Sequence, residues 1–228
     1  MLELVKSLEE IVLSELSLGE GEFLVRVARR SVEEYLSSRR RLEPPSNTPR
    51  PLLEKRGVFV TLYRYPSKEL RGCIGYPLPT HRLIDAVIGA AISSATQDPR
   101  FSPVELDEMK SIVIEVSVLT PPEEIKYEKP EDLLKEIIIG RDGLIVEAGG
   151  FSGLLLPQVP VEYNWGVEEY LMHLCLKAGL PSTYWMTGKT RIYRFTAQIF
   201  AEEEPAGRVV EKKLELSLIH ISEPTRPY

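Results

Sequence analysis

"SIVIEVSVLTPPEEI" (residues 111–125) alternates its side chains with period two and then stops at a proline pair. Ile112, Ile114, Val116 and Val118 fall on one side of an extended chain, and Val113, Glu115, Ser117 and Leu119 on the other. β-Branched residues dominate, so the stretch reads as a strand closed by Pro121 and Pro122. Working outward, "GVFVTLYRYP" (57–66) is a second alternating run, "ELRGCIG" (69–75) a short third one, and "TRIYRFTAQIFAEE" (190–203) the last. "DGLIVEAGGFSGLLLP" (142–157) holds two β-rich runs about Gly149-Gly150, a hairpin signal.

Between these runs the apolar spacing turns helical. Helices are predicted over 2–18, over 20–38, from an N-cap at Thr80 to about Thr96, over 130–137, and from about Gly166 to Ala178 with Gly179 just past the end. No βαβα rhythm links helices to strands. The class is therefore α+β, a mixed and mainly antiparallel sheet with packed helices. The prolines at 121–122 and the breaks at 157–160 bracket a small lobe. Residues 1–120 and 165–205 are expected to form a larger domain, and 121–164 a helix-plus-hairpin lobe inserted in it.

The chain has 228 residues, 43% of them hydrophobic, enough to bury a core. No run approaches the roughly 18 apolar residues of a membrane span, and "MLELVKSLEE" lacks a signal-peptide core. A cytoplasmic protein is expected. Cys73 and Cys175 lie 102 positions apart with no Cys or His at zinc spacing, so neither a metal nor another cofactor is expected. Net charge is −6, yet residues 26–56 hold nine Lys/Arg against four Glu, a local +5 that leaves −11 elsewhere. That stretch is either a solvated basic surface or an anion or RNA contact. The last residues, 216–228, have no periodicity and resemble translated adapter DNA from a sequencing library. They are expected to be non-native, which removes His220 from consideration.

The chemistry-bearing residues cluster around "LRGCIG" (70–75). Gly72 and Gly75 permit unusual backbone or a close approach by another group. Arg71 and Cys73 share a side if the run stays extended, and a guanidinium beside a thiol favours the thiolate. His81, eight residues on at the start of a helix, is the available base; His173 is expected to be partly solvated. Cys73 is thus either a nucleophile or a small packed residue, and Cys175 belongs to a core. In "DPRF" (98–101) Asp98 can form a turn, Arg100 can either form a structural ion pair or anchor an anion through its fork, and Phe101 can plug a core. Gln158, between a strand end and prolines, is either exposed or orients a partner, because burying an unpaired amide is costly.

Taken together, "LRGCIG", "DPRF", "LLPQV" and "LCLKAGL" resemble the AMMECR protein family over about residues 24–200, with the signature hexapeptide unbroken from Leu70 to Gly75. The resemblance implies a two-domain α+β architecture with the hexapeptide near an interdomain cleft. It implies no settled activity. By position it singles out Arg71, Gly72, Cys73 and Gly75, then Asp98, Arg100 and Phe101, then Pro157 and Gln158. Neither histidine belongs to these motifs, which weakens a Cys–His dyad. The family's occurrence beside Memo-like and radical-SAM proteins implies such proteins as partners. The leading expectation is a small anionic or peptide-like ligand held by Arg71, Arg100 and Gln158, with Gly72 and Gly75 opening the backbone to it. Its holder would be an accessory to a modification enzyme. The alternatives are a cysteine-dependent enzyme using Cys73, and an RNA- or protein-interaction scaffold.

Overall fold

Ser17 opens the first helix among the described residues because its hydroxyl accepts the Glu20 N–H while the Glu20 carboxylate accepts the Ser17 N–H, a reciprocal cap. This helix, α1 (Leu18–Ser38), ends where Arg39 turns left-handed. The computed structural model describes residues 15–212. The predicted 2–18 helix lies outside that range except for its last residues, and the 216–228 tail and His220 lie wholly outside it. The other elements are β1 (Gly57–Arg64), β2 (Leu70–Tyr76), α2 (Leu83–Thr96), β3 (Ile112–Leu119), β4 (Glu123–Glu124), α3 (Leu133–Glu136), β5 (Gly143–Ala148), β6 (Phe151–Leu155), α4 (Gln158–Glu162), α5 (Val167–Lys177), β7 (Arg191–Phe195), β8 (Ala197–Glu202) and β9 (Val209–Lys212).

The described residues fall into two compact units, and the fold is α+β. The first unit comprises residues 15–123 and 195–212. Its five-stranded sheet runs β2-β1-β3-β8-β9, and the registered pairings are antiparallel. The predicted alternation of 111–119 sets its core. Ile112, Ile114, Val116 and Val118 join Val58, Val60 and Leu62 in one cluster with Leu24, Val25, Ala28 and Val32 of α1 and Ile84, Val87, Ile88 and Ala91 of α2. Both helices therefore pack on the same face of the sheet. Arg29 ties the unit's two chain segments together: its guanidinium forks onto Glu202 at 2.7 and 2.6 Å and donates to the carbonyls of Met109 and Ile112.

The second unit comprises residues 124–194. Its sheet runs β4-β7-β5-β6, with α5 against β5 and β6. Leu171, Leu174 and Cys175 of α5 share a core with Leu144, Val146, Trp185 and Ile192. That packing places residues 165–194 here, whereas they were expected in the larger domain. The predicted last strand is really two. The chain leaves one sheet at Phe195 and enters the other at Ala197, so one alternating run serves both units. Thr80 does not cap α2. Arg82 holds the cap position with no side-chain capping bond, while the Thr80 hydroxyl lies 2.8 Å from His81 Nδ1. No helix among the described residues is long and apolar enough to cross a membrane.

Candidate functional site

LRGCIG forms most of β2, and β2 is an edge strand of the first unit's sheet. An edge strand presents unpaired N–H groups, and here side chains from the end of α2 occupy two of them. Asp98 Oδ2 accepts the Cys73 N–H at 2.8 Å and Ser94 Oγ accepts the Ile74 N–H at 2.8 Å. The same Ser94 hydroxyl donates to the Val60 carbonyl at 2.7 Å, so it sits between Val60 and Ile74, which are cross-strand partners. Helix and strand are thus stitched together rather than merely packed.

Arg71 and Cys73 do not share a face. Leu62 pairs with Gly72 and Tyr63 with Leu70, which makes Arg71 the extra residue of a β-bulge. The bulge breaks the alternation and turns the guanidinium inward, where the residue is 3% exposed. Its Nε and Nη2 fork onto Glu108 at 3.1 and 3.0 Å, and Nη1 donates to the Ser102 carbonyl at 2.9 Å. These bonds hold the Glu108 carboxyl below its ordinary range. Arg71 was expected to grip an anionic ligand, but its donors are committed within the unit.

The glycines answer to internal geometry as well. A Cβ on Gly72 would run into the Ser94 carbonyl oxygen, and one on Gly75 into the Val58 carbonyl and the Phe59 ring. Gly72 lets α2 approach the strand closely, and Gly75 makes room for β1. Both were expected to admit a ligand to the backbone; the chain itself fills that space.

Cys73 is half-buried, and the Thr61 hydroxyl donates to its Sγ at 3.3 Å from the facing position on β1. Burial pushes the thiol up from its ordinary pKa; the Thr61 bond and Arg100 oppose this, while Glu115 and Asp98 add to it. The sulfur is therefore a protonated thiol at neutral pH. The Cys73 hydrogen-bond partners among the described residues are Thr61, Asp98 and Arg100, with no histidine among them. His81 instead meets Tyr76, ring to ring at 5.4 Å, and His173 stacks on Trp165 at 3.9 Å in the second unit.

Asp98 is the hub of the site. Besides the Cys73 N–H it accepts Arg100 Nε on Oδ1 at 3.0 Å and Nη2 on Oδ2 at 2.7 Å. The Arg100 side-chain bonds, reinforced by the backbone N–H groups of Cys73 and of Arg100 itself (onto Oδ1 at 3.1 Å), lower its pKa to about 2 despite burial. Arg100 also donates to the Cys73 carbonyl at 3.4 Å, and its side chain remains 53% exposed. Its Nη1 has no partner among the described residues. Phe101 lies under both guanidiniums, 6.0 Å from Arg71 and 5.5 Å from Arg100. Arg100 is exposed, Cys73 and Phe101 are half-buried, and Asp98 is buried beneath them.

Gln158 opens α4 in the second unit, directly after Pro157. It is 8% exposed, and its Oε1 has no partner among the described residues. Cys175 is fully buried, in the core expected for it. Sequence reasoning missed Ser94, Thr61 and Glu108. Ser94 carried a faint signal, a hydroxyl in the last turn of the predicted helix, four residues before Asp98. Among the described residues no group of three or more His, Cys, Asp or Glu is placed to hold a metal ion.

The class these features define is an α+β protein organised around an LRGCIG edge strand. A family model described as AMMECR1 matches residues 25–200, and the chain belongs to that family. Protein MJ0810 of Methanocaldococcus jannaschii is 60% identical over 199 residues, 87% of this chain and 98% of that protein. Protein PYRAB00100 of Pyrococcus abyssi is 58% identical over 197 residues, 85% and 96% of the two chains. The crystal structure of protein PH0010 from Pyrococcus horikoshii is similar with a TM-score of 0.83 at 56% identity, covering 86% of this chain and 97% of that one.

Proposed function

We propose that this AMMECR1-family protein binds a small anionic or peptide-like ligand at the outer edge of β2, through Arg100 and the exposed side of Cys73, and does not use Cys73 as a nucleophile. The observation that carries this reading is the state of Arg100. Its fork is fixed by Asp98 on one side, yet more than half of the side chain is exposed and Nη1 is uncommitted. A guanidinium held in place before binding loses little freedom when a carboxylate or phosphate arrives. Cys73 supplies a soft, neutral neighbour, and its carbonyl is already used to seat Arg100. In the second unit, Gln158 offers an acceptor with no donor among the described residues. An accessory role to a modification enzyme of the Memo-like or radical-SAM type fits a protein that presents a ligand without a base beside its thiol.

The test is thermal-shift measurement with inorganic phosphate, citrate and glutamate, paired with mass spectrometry of small molecules that co-purify with the protein. Binding is expected to raise Tm in the unaltered protein and to vanish in Arg100→Gln, each compared with its own unliganded Tm. No shift with any probe, together with an empty co-purification profile, overturns the reading. The rival, a cysteine-dependent enzyme, requires a thiolate at neutral pH, and the iodoacetamide rate of Cys73 decides it.

A further inference from the structure

Much of the basic excess noted in the sequence lies on the connector after α1. Residues 39–56 join α1 to β1 with no regular element except a 3₁₀ turn at Arg50–Leu53, and both ends of this connector meet the first turn of α2. At one end Arg41 Nη2 donates to the Asp85 carbonyl at 3.1 Å. At the other the Leu83 N–H donates to the Glu54 carbonyl at 2.8 Å, and Lys55 forms an isolated β-bridge with Arg82. Arg40 and Arg82 are neutralised by Glu34 and Asp85. Arg39, Arg41, Arg50 and Lys55 are all exposed, and none has a carboxylate within ion-pair reach among the described residues. The exposed carboxylates of the connector are Glu43 and Glu54, and Glu54 pairs with the buried Arg56. Pro44, Pro45, Pro49 and Pro51 restrict the backbone that carries these cations.

We infer that this surface binds single-stranded nucleic acid through its phosphodiester backbone, at a place separate from Arg100 and Cys73. Three of the four unpaired cations are arginines, whose planar forks suit phosphate oxygens. The four are spread along a connector rather than turned into one pocket, which suits a repeating anion better than a single one. Leu53 is the only exposed large apolar side chain in the stretch, too little to enter a bilayer. Contact is with phosphates and therefore indifferent to base sequence.

Fluorescence anisotropy with 5′-labelled 12-nucleotide RNA and DNA of the same sequence tests this. Neutralising about three to four phosphates of a single strand predicts roughly twenty- to fifty-fold weaker binding at 200 mM than at 50 mM salt. Arg41→Glu, Arg50→Glu and Lys55→Glu together are expected to abolish binding. Lys135→Glu, Lys177→Glu and Lys189→Glu, the same change in charge on exposed positions of the second unit, are expected to leave at least half of the affinity. Circular dichroism checks folding. If the triple reversal does not fold, Arg50→Ala with Lys55→Ala still removes two cations whose side chains make no described contact, and is expected to weaken binding several-fold. RNA and DNA are expected to bind within a few-fold of each other. No binding at 50 mM salt, equal losses in both triple variants, or equal or tighter binding to polyglutamate or to phosphatidylserine vesicles overturns the inference.

Discussion

A hydrogen placed where any other side chain would need a carbon decides how the hexapeptide packs. Gly72 faces the Ser94 carbonyl so closely that Gly72→Ala must move backbone, not a flexible side chain. We expect it to lower stability by at least about 1–3 kcal/mol, the usual cost of overpacking, in denaturant unfolding. Cys73 makes a second prediction. Because burial raises its pKa, the iodoacetamide rate should be low at pH 7 and climb only above the ordinary thiol range; Thr61→Val, which removes a hydrogen bond to the thiolate, should push the profile further up. A high rate at pH 7 would contradict the assigned environment. Asp98 gives a pH signature of defined sign. Its folded pKa of about 2 is below the unfolded value, so its contribution is present above about pH 4 and fades as pH falls toward 2. Asp98→Asn should therefore cost about 2 kcal/mol at pH 7 and little at pH 2, measured by urea unfolding at both. At this scale the residue identities were legible and their roles were not. "DPRF" and "LRGCIG" could be singled out from sequence, but whether an arginine is spent or free depends on the carboxylate it meets, and Glu108 lies 37 positions away from Arg71.

Strands and helices were more readable, because period two and period 3.6 are local properties. The 111–119 alternation placed Ile112, Ile114, Val116 and Val118 on the core face that α1 and α2 cover. Two element-level features escaped for identifiable reasons. The alternation of 190–203 continues through Thr196, so nothing in the pattern marks where the chain changes sheets. The bulge at Arg71 leaves only an ambiguous trace, a glycine after it, which equally fits a close approach. The bulge also carries a prediction. Arg71→Met removes the fork that docks the 102–108 segment on β2 and leaves the partly exposed Glu108 carboxylate with only Arg64, at 3.6 Å, as its cation. The loss expected is about 3 kcal/mol, with raised hydrogen exchange across 102–108 as the local readout.

Across the whole molecule, the chain's discontinuity is its organising fact. The first unit is assembled from segments on either side of residues 124–194, and Arg29 with Glu202 joins them by a fork with no exposed carboxylate surface. Glu202→Gln is expected to cost about 3 kcal/mol in guanidinium unfolding, because buried Arg29 is left with only the partly exposed Glu33 as counter-charge. A change under 1 kcal/mol would mean that the apolar contacts of α1 alone hold these segments. This pairing could not be foreseen from spacing, since its partners are 173 positions apart.

Thr120 and Thr196 bracket the departure and return of the chain, and they are bonded to each other: the Thr120 N–H donates to the Thr196 carbonyl at 3.0 Å, and the Thr196 N–H to the Thr120 hydroxyl at 2.9 Å. The excursion therefore starts and finishes at neighbouring rungs of a ladder, and its length is not dictated by any span it must bridge. A polypeptide cassette whose own ends lie a few ångströms apart could replace it without stretching the scaffold, which makes this junction a natural grafting point for a reporter domain.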